Sequence, residues 1–316
     1  MRVLGPGRTF RGHHSGAANS ARAQTVMSEP SHPLVSVVVP TCNRADLLRR
    51  CLDRLAPGAQ RLDAARYEVI VADDGAPGSA AMAIEKTHPW ARTVDGPRRG
   101  PAANRNAGAG AARGAYLAFT DDDTEPSPAW LASFVAAIEP GTDVYEGRTT
   151  CDGGFRSPLY HAPVNETGGR LWSCNFMVKA GAFHRVHGFD EGFRFAHMED
   201  QDLRLRLEAT CRIRFVRGAV VNHPPRRQPG GARLGAYREA EVRYLYKHGA
   251  ARPVAPALLR TIVRYRLGVI HHTPKSLDSV GALWSLAREV VHVMRRVASW
   301  EARYAAEFPD TPPRAA

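Results

Sequence analysis

Residues 34–44 read LVSVVVPTCNR, and this run decides the fold. Leu34 to Pro40 is nearly continuous in β-branched residues, the composition of a strand covered on both faces in a parallel sheet. Outward from it, Leu47, Leu48, Cys51, Leu52 and Leu55 recur at helical period, with Asp46 as the expected cap and Pro57 and Gly58 as the stop. YEVIVADDGA then predicts a second strand over Tyr67 to Ala72, running into Asp73, Asp74 and Gly75. Strand, helix and strand in succession make a βαβ unit, whose parallel strands bring both carboxyl-end loops to one edge of the sheet. The fold class read from this stretch is α/β, with a Rossmann-like, mostly parallel sheet flanked by helices.

The pattern continues toward the C-terminus. Ala80 to Lys86 is helix-like, and GPRRGPAANRNAGAGAARG predicts a helix of small residues packed close to the sheet. AYLAFT (Ala115 to Thr120) is a third apolar strand, and it delivers Asp121, Asp122 and Asp123 to the same edge. PSPAWLASFVAAIEP opens a helix with Ser127 as cap and Pro128 at its first position. Beyond it, short strands are expected near Val144 to Arg148, a helix opens at MEDQD with Glu199, Asp200 and Asp202 in its first turn, and CRIRFVRGAVVNHPP reads as a strand pair ending at His223. From Ala232 onward the pattern is helical and studded with arginine, with Leu258, Leu259, Ile262, Val263, Leu267 and Ile270 on one apolar face. The expected organisation is a disordered leader over 1–33, an α/β domain over 34–225 and a basic helical region over 226–316.

The net charge of +12 on 316 residues invites a nucleic-acid reading. Its distribution argues against one. Residues 1–27 carry four arginines and no acid, residues 28–223 carry 23 basic and 24 acidic residues, and residues 224–316 carry 16 basic and seven acidic. The body of the domain is neutral, so no polynucleotide partner is expected there. Five cysteines without a CxxC pair argue against a disulfide framework and for a reducing, cytoplasmic setting. No run approaches a membrane span, and the first 27 residues lack the apolar core of a signal peptide, with Met27 a plausible second start.

Three consecutive aspartates at a strand end repel one another unless a cation neutralises them. Asp121 and Asp123, bracketing one residue in a tight turn, suit Mg2+ or Mn2+ carrying a diphosphate; the plainer alternative is a solvated turn capping the next helix. Glu199 and Asp200 can be caps compensating the helix dipole, or a rigidly mounted general base. His223 can be a packed histidine or a nitrogen ligand to the same ion.

Taken in order, VSVVVPTCNR, VIVADDGA, GPAANRNAG, AYLAFTDDDTEPSPAWL, CNFMVKAGAF with GFDEGF, and MEDQDLRLRL resemble the successive signatures of family 2 glycosyltransferases of the GT-A fold, over roughly Val35 to His223. The resemblance implies metal-dependent, inverting, non-processive transfer of a sugar from a nucleotide-diphosphate sugar to a hydroxyl-bearing acceptor. It puts Pro40, Thr41, Arg44, Asp74, Arg105 and Asp122 around the donor nucleotide. It makes Asp121 and Asp123 the metal-binding pair, with His223 near the metal. Asp200 becomes the base with Glu199 as its rival, and Asn175 and Asp190 face the acceptor side. A QxxRW motif and trailing membrane helices, found in processive members, are missing; Cys42 stands where an aromatic is frequent and Ala76 where serine is common. The competing readings are a nucleotidyltransferase, which would want a glycine-rich loop where VPTCNRAD has none, and a non-enzymatic binder of anionic polymers. The basic C-terminal helices are expected either to pack on the domain or to attach it peripherally to an anionic membrane.

Overall fold

The LVSVVVPT run forms β1 (Val35–Thr41), buried along its whole length. In this computed structural model, residues 32–309 are described; the expected leader and alternative start fall outside them. In chain order there follow α1 (Ala45–Leu55), β2 (Tyr67–Asp73), α2 (Ser79–Ile84), β3 (Arg92–Asp95), α3 (Pro101–Gly110), β4 (Tyr116–Phe119) and β5 (Glu125–Pro126). The chain continues through α4 (Trp130–Ala136), β6 (Val144–Thr150), β7 (Tyr160–His161), β8 (Phe176–Lys179), α5 (Ala180–Arg185), α6 (Glu199–Glu208), β9 (Ile213–Asn222) and β10 (Arg226–Arg227). It ends in α7 (Gly231–Lys247), α8 (Ala255–His272) and α9 (Leu277–Glu307).

The main sheet has the order β3-β2-β1-β4-β8-β6-β9-β5. Strands β1 to β4 are mutually parallel, β8 runs antiparallel between β4 and β6, and β9 is parallel to β6. One consequence governs the site. The carboxyl ends of β1, β2, β4, β6 and β9 and the start of β8 all lie on one edge, so residues distant in sequence converge there. Alternation fills both faces: Val35, Val37 and Val39 join the core with Leu48, Leu52, Trp130 and Phe134, while Val38 joins Phe119, Phe176, Phe183 and Leu203. Helix α3 lies on the sheet as its small residues require, since a Cβ on Gly108 would stand 2.5 Å from Val38 Cγ1.

Several local expectations are corrected. Asp46 does not cap α1; the helix begins one residue earlier, after Arg44, and Asp46 pairs with Arg49 instead. Helix α4 starts at Trp130 rather than at Pro128, because the Ser127 N–H is taken by the Val220 carbonyl and the Ser127 carbonyl closes a turn onto Trp130. The expected strand pair before His223 is one strand, β9, with a bulge where the partner of Gly147 is Val216 and that of Arg148 is Val220. Helix α2 is shorter than Ala80 to Lys86 suggested at its end, stopping at Ile84.

The terminal helices have a core of their own around Val242, Leu258, Ile262, Leu286, Val293 and Trp300. They are also tied to the α/β body by charge. Asp190 meets Arg243 and Lys247, Asp202 meets Lys247 and His248, and His197 meets Glu241. Helix α9 carries two apolar stripes. The inner one is buried, while Leu277, Val280, Trp284, Val291 and Met294 are exposed on the other side.

Candidate active site

Each parallel strand hands polar groups to the shared edge. Strand β1 ends at Thr41, whose hydroxyl donates to Asp122 Oδ2 at 2.6 Å. The neighbouring Arg44 grips the same carboxylate through Nε at 3.0 Å and reaches Asp123 Oδ2 through Nη1 at 3.1 Å. Burial pushes the Asp122 carboxyl up to about 7, with Arg44 and Thr41 opposing. Pro40 is buried within β1 beside Ala72. Thr41 and Arg44 line a small cleft of about 210 Å³ with Asp73 and Ser79.

The two acids closing β2 are occupied by the backbone. Asp73 accepts from the N–H groups of Gly75 and Ala80 and from the Ser79 hydroxyl. Asp74, expected at the nucleotide base, accepts from the Arg98 and Gly100 N–H groups at 2.9 and 3.0 Å and so fixes the loop leading into α3. Asn104, which no sequence argument singled out, donates to the Thr41 and Ala72 carbonyls and ties β1 to β2 at the site edge. Its place in GPAANRNAG, one residue before Arg105, was the available signal.

Arg105 is the hinge of the arrangement. It is 3% exposed, and its guanidinium donates to Asp121 Oδ1 at 2.7 Å and to Glu199 Oε1 at 3.0 Å, joining the two acid clusters. Burial alone would raise the Asp121 carboxyl, but Arg105 reverses this and holds it below the ordinary range. Burial and then the neighbouring Asp200 push Glu199 up to about 7. Asp200 is raised to about 6, chiefly by burial, with the Gln201 N–H bond opposing. The chain enters α6 through Met198 at φ 72, a left-handed turn that sets both acids at the helix start.

The Asp121, Asp123 and His223 side chains offer three ligand atoms within 4.8 Å of one another. The loop after β4 crosses the sheet edge to β5, which pairs with the end of β9, and this crossing brings Asp123 to His223. His223 is buried, and its Nδ1 lies 3.1 Å from the Pro224 carbonyl, which can only accept. In the neutral ring the proton then sits on Nδ1 and the Nε2 lone pair is free. Both Nε2 and Asp123 Oδ1 are buried without a hydrogen-bond partner, and they stand 3.4 Å apart. With the ring neutral these are two acceptor atoms facing one another, an arrangement that fits a cation held by hard oxygen and imidazole ligands.

A larger cavity of about 630 Å³ opens beside these groups, with Arg105, Asp121, Glu199 and Asp200 in its wall. Asn175 and Asp190 are not among its lining residues. The Asn175 amide is spent inside the sheet, accepting from Trp130 Nε1 and donating to the Arg148 and Ala219 carbonyls, and Asp190 is held by Arg243 and Lys247. Conversely, the cavity takes Arg226, Tyr237, Arg238, Tyr265 and Arg266 from the C-terminal region. Arg226 donates to Asp123 Oδ2 at 2.8 Å. A reading by net charge treated these arginines as a tail, because basicity alone does not say which of them turn inward.

This sheet order, with an acid loop and a histidine on one edge above a cleft, is that of a GT-A-type fold. The chain belongs to glycosyltransferase family 2: the family model Glycosyl transferase family 2 matches residues 36–194. It is 31% identical over 256 residues to the pre-mycofactocin glycosyltransferase of Mycobacterium tuberculosis, covering 72% of this chain and 49% of that protein. It is 28% identical over 221 residues to the validoxylamine A glucosyltransferase of Streptomyces hygroscopicus subsp. jinggangensis, covering 56% of this chain and 52% of that one. The chain thus spans about half the length of these curated relatives. Among solved structures, Staphylococcus aureus TarS 1-349 superposes with a TM-score of 0.53 at 17% identity, covering 85% of this chain and 88% of that one. The same TarS fragment in complex with UDP-GlcNAc gives 0.52 at 16% identity, covering 85% of this chain and 88% of that one.

Proposed function

We propose that the protein transfers a glycosyl group from a nucleoside-diphosphate sugar to a hydroxyl acceptor with inversion at the sugar carbon, Asp200 acting as general base. The observation that carries this reading is one cavity whose wall holds both Asp121 and Asp200, with Arg105 joining Asp121 to Glu199, the neighbour of Asp200. Donor and acceptor ends of one reaction need such a pair. Thr41, Arg44 and Asp122 line the approach of the nucleotide, with Pro40 and Asp74 setting the loops around it. Asp121, Asp123 and His223 would hold Mn2+ or Mg2+. Bound there, the cation supplies positive charge to a departing diphosphate.

Asp200 is favoured over Glu199 as the base on its partners. Glu199 Oε1 is held by the Arg105 guanidinium, whereas Asp200 is held through the Gln201 N–H and has no cation in hydrogen-bond contact among the described residues. With its affinity for a proton raised, it accepts the acceptor hydroxyl's proton as that oxygen attacks the sugar carbon from the face opposite the diphosphate. A single carboxylate doing proton chemistry suits inversion, which forms no glycosyl-enzyme bond. The deciding experiment is a screen of UDP-, GDP- and dTDP-sugars with Mn2+ or Mg2+, scored for donor binding and slow donor hydrolysis. Failure of every donor to bind removes the reading.

The second part of the proposal concerns location. No helix among the described residues is long and apolar enough to cross a membrane. The exposed stripe of α9 runs beside the exposed Arg288, Arg295 and Arg296, with Lys275, Arg260 and Arg264 exposed nearby; of the two acids between Ala255 and Met294, Glu289 is buried and Asp278 half-buried. Apolar side chains flanked by a surplus of cations match the chemistry of an anionic lipid surface, on the cytoplasmic side of a membrane. Flotation of the full chain with anionic but not neutral vesicles, lost in Trp284→Glu, supports attachment. No flotation overturns it, as does a concentration-dependent dimer abolished by the same substitution.

A further inference from the structure

Arg266, on the wall that α8 gives to the large cavity, is 2% exposed and poorly matched to its surroundings. One Nη1 hydrogen goes to the neutral Gln228 amide oxygen. Glu289 Oε2 stands 3.6 Å from Nε, outside hydrogen-bond reach, and the other oxygen of Glu289 is taken by Arg238. Among the described residues Nε and Nη2 have no hydrogen-bond partner, and Glu289 Oε2, which faces Nε as its ion-pair partner, has none either. Nε and Nη2 form the edge of the guanidinium that binds carboxylate or phosphate in parallel.

The surroundings add to the same sign. Arg170, Arg226, Arg227 and Arg238 also border the cavity, while its carboxylates are Asp121, Glu199 and Asp200, and the first two are bound to Arg105. His161 on the same wall is pushed down to about 4, by burial first and then by Arg226 and other cations including Arg266. A buried guanidinium with two idle donors is costly to the folded state, and a methionine of similar length would pack there without that cost. The aromatic rings of Phe155, Trp172 and Tyr265 share this lining and offer flat apolar surface beside the idle donors.

We propose that Arg266 anchors an oxyanion subsite for the acceptor, which therefore carries a phosphate or carboxylate besides the hydroxyl it presents. This rests on the reading of the cavity as a transfer site, and it is kept apart from the donor's diphosphate, which is assigned to Asp121, Asp123 and His223. The test needs no turnover, so it stands or falls separately from the donor screen. The thermal midpoint of the full chain is measured against inorganic phosphate at constant ionic strength, with chloride as the balance, for the native chain, Arg266→Met and Arg266→Lys.

The native midpoint should rise with phosphate as for a ligand bound only by the folded state. Arg266→Met should start higher without phosphate and lose the rise, and Arg266→Lys should retain part of it. The native rise should persist when Mg2+ and pyrophosphate are present at saturation. An equal phosphate response in Arg266→Met, or none in the native chain, overturns the subsite. Loss of the rise once Mg2+ and pyrophosphate are bound gives Arg266 to the donor and overturns its assignment to the acceptor. Should Arg266→Met not fold, Arg266→Lys decides: a phosphate response identical to the native one counts against the proposal.

Discussion

The loop after β4 and the first turn of α6 each gather three acids within four residues, yet neighbours give them opposite characters. In the loop, cations already surround the carboxylates: Arg105 holds Asp121, Arg44 holds Asp122, and Arg44 and Arg226 share Asp123. In α6 the cations are unevenly spread. Asp202 has Arg206, Lys247 and His248, Glu199 has half of Arg105, and Asp200 has backbone. Two clusters alike in sequence therefore separate into one whose three carboxylates are all paired with arginine and one that leaves Asp200 without such a pair. Position in a charge network, more than residue type, assigns the chemistry.

The sharpest way to break this contrast is to exchange roles within α6. Asp200→Asn should lower kcat by about 10³-fold, within the usual range for losing a general base, while donor binding by calorimetry is unchanged. Asp202→Asn should leave kcat near native and lower the unfolding midpoint, because Arg206, Lys247 and His248 lose a shared buried partner. Native turnover in Asp200→Asn would remove it as base.

Arg105→Met should come next in size, costing about 3 kcal/mol in denaturant unfolding, since it leaves Glu199 and Asp121 buried without their shared cation. Unchanged stability would mean the two clusters are independent. His223→Ala should weaken cation-dependent donor binding by at least about 10-fold, a loss seen even for residues one step removed from a metal. Equal donor affinity with and without chelator in the native chain would exclude the Asp121, Asp123 and His223 site.

The smallest effect is on pH dependence, and it has opposite signs within the first turn of α6. Glu199 and Asp200 hold protons more tightly when folded, so their contribution to stability is greatest in acid and declines as pH rises toward about 7. Asp202 is shifted down: burial alone would raise it, but His248, Arg206 and Lys247 outweigh that. Its stabilisation is present above the ordinary aspartate range and lost as pH falls below it. Glu199→Gln should flatten the decline between about pH 5 and 7, measured by urea unfolding. Meanwhile kcat of the native chain should fall once pH drops below about 6, as Asp200 takes up a proton.

Much of the body was legible because it obeys simple periods. The β1 run, the α1 stripe and the acids after β4 follow from alternation and helical spacing, and the sheet edge follows from parallel connection. The edge strand β3 was not legible: RTVD is short and half exposed, so no apolar pattern marks it. Nor was the bulge in β9, where FVRGAVV reads as two strands around Gly218, although one strand accommodates it. Asn104 and the inward-turned Arg226 and Arg266 escaped for another reason. Their roles come from partners 32 to 103 residues away, and local pattern carries no information about such pairs.

Asp123 and Arg226 are 103 positions apart, and they meet only because β5 docks onto β9 at the far side of the sheet. In kinetic terms this is a long loop to close, and contacts of that separation form late. The half of the sheet from β1 to β4 can collapse on local contacts, but the cation-facing corner exists only after β9 has found β6 and β5 has closed over it. Binding of a divalent ion in a refolding experiment would therefore report the final step of assembly, after most helical signal has already returned.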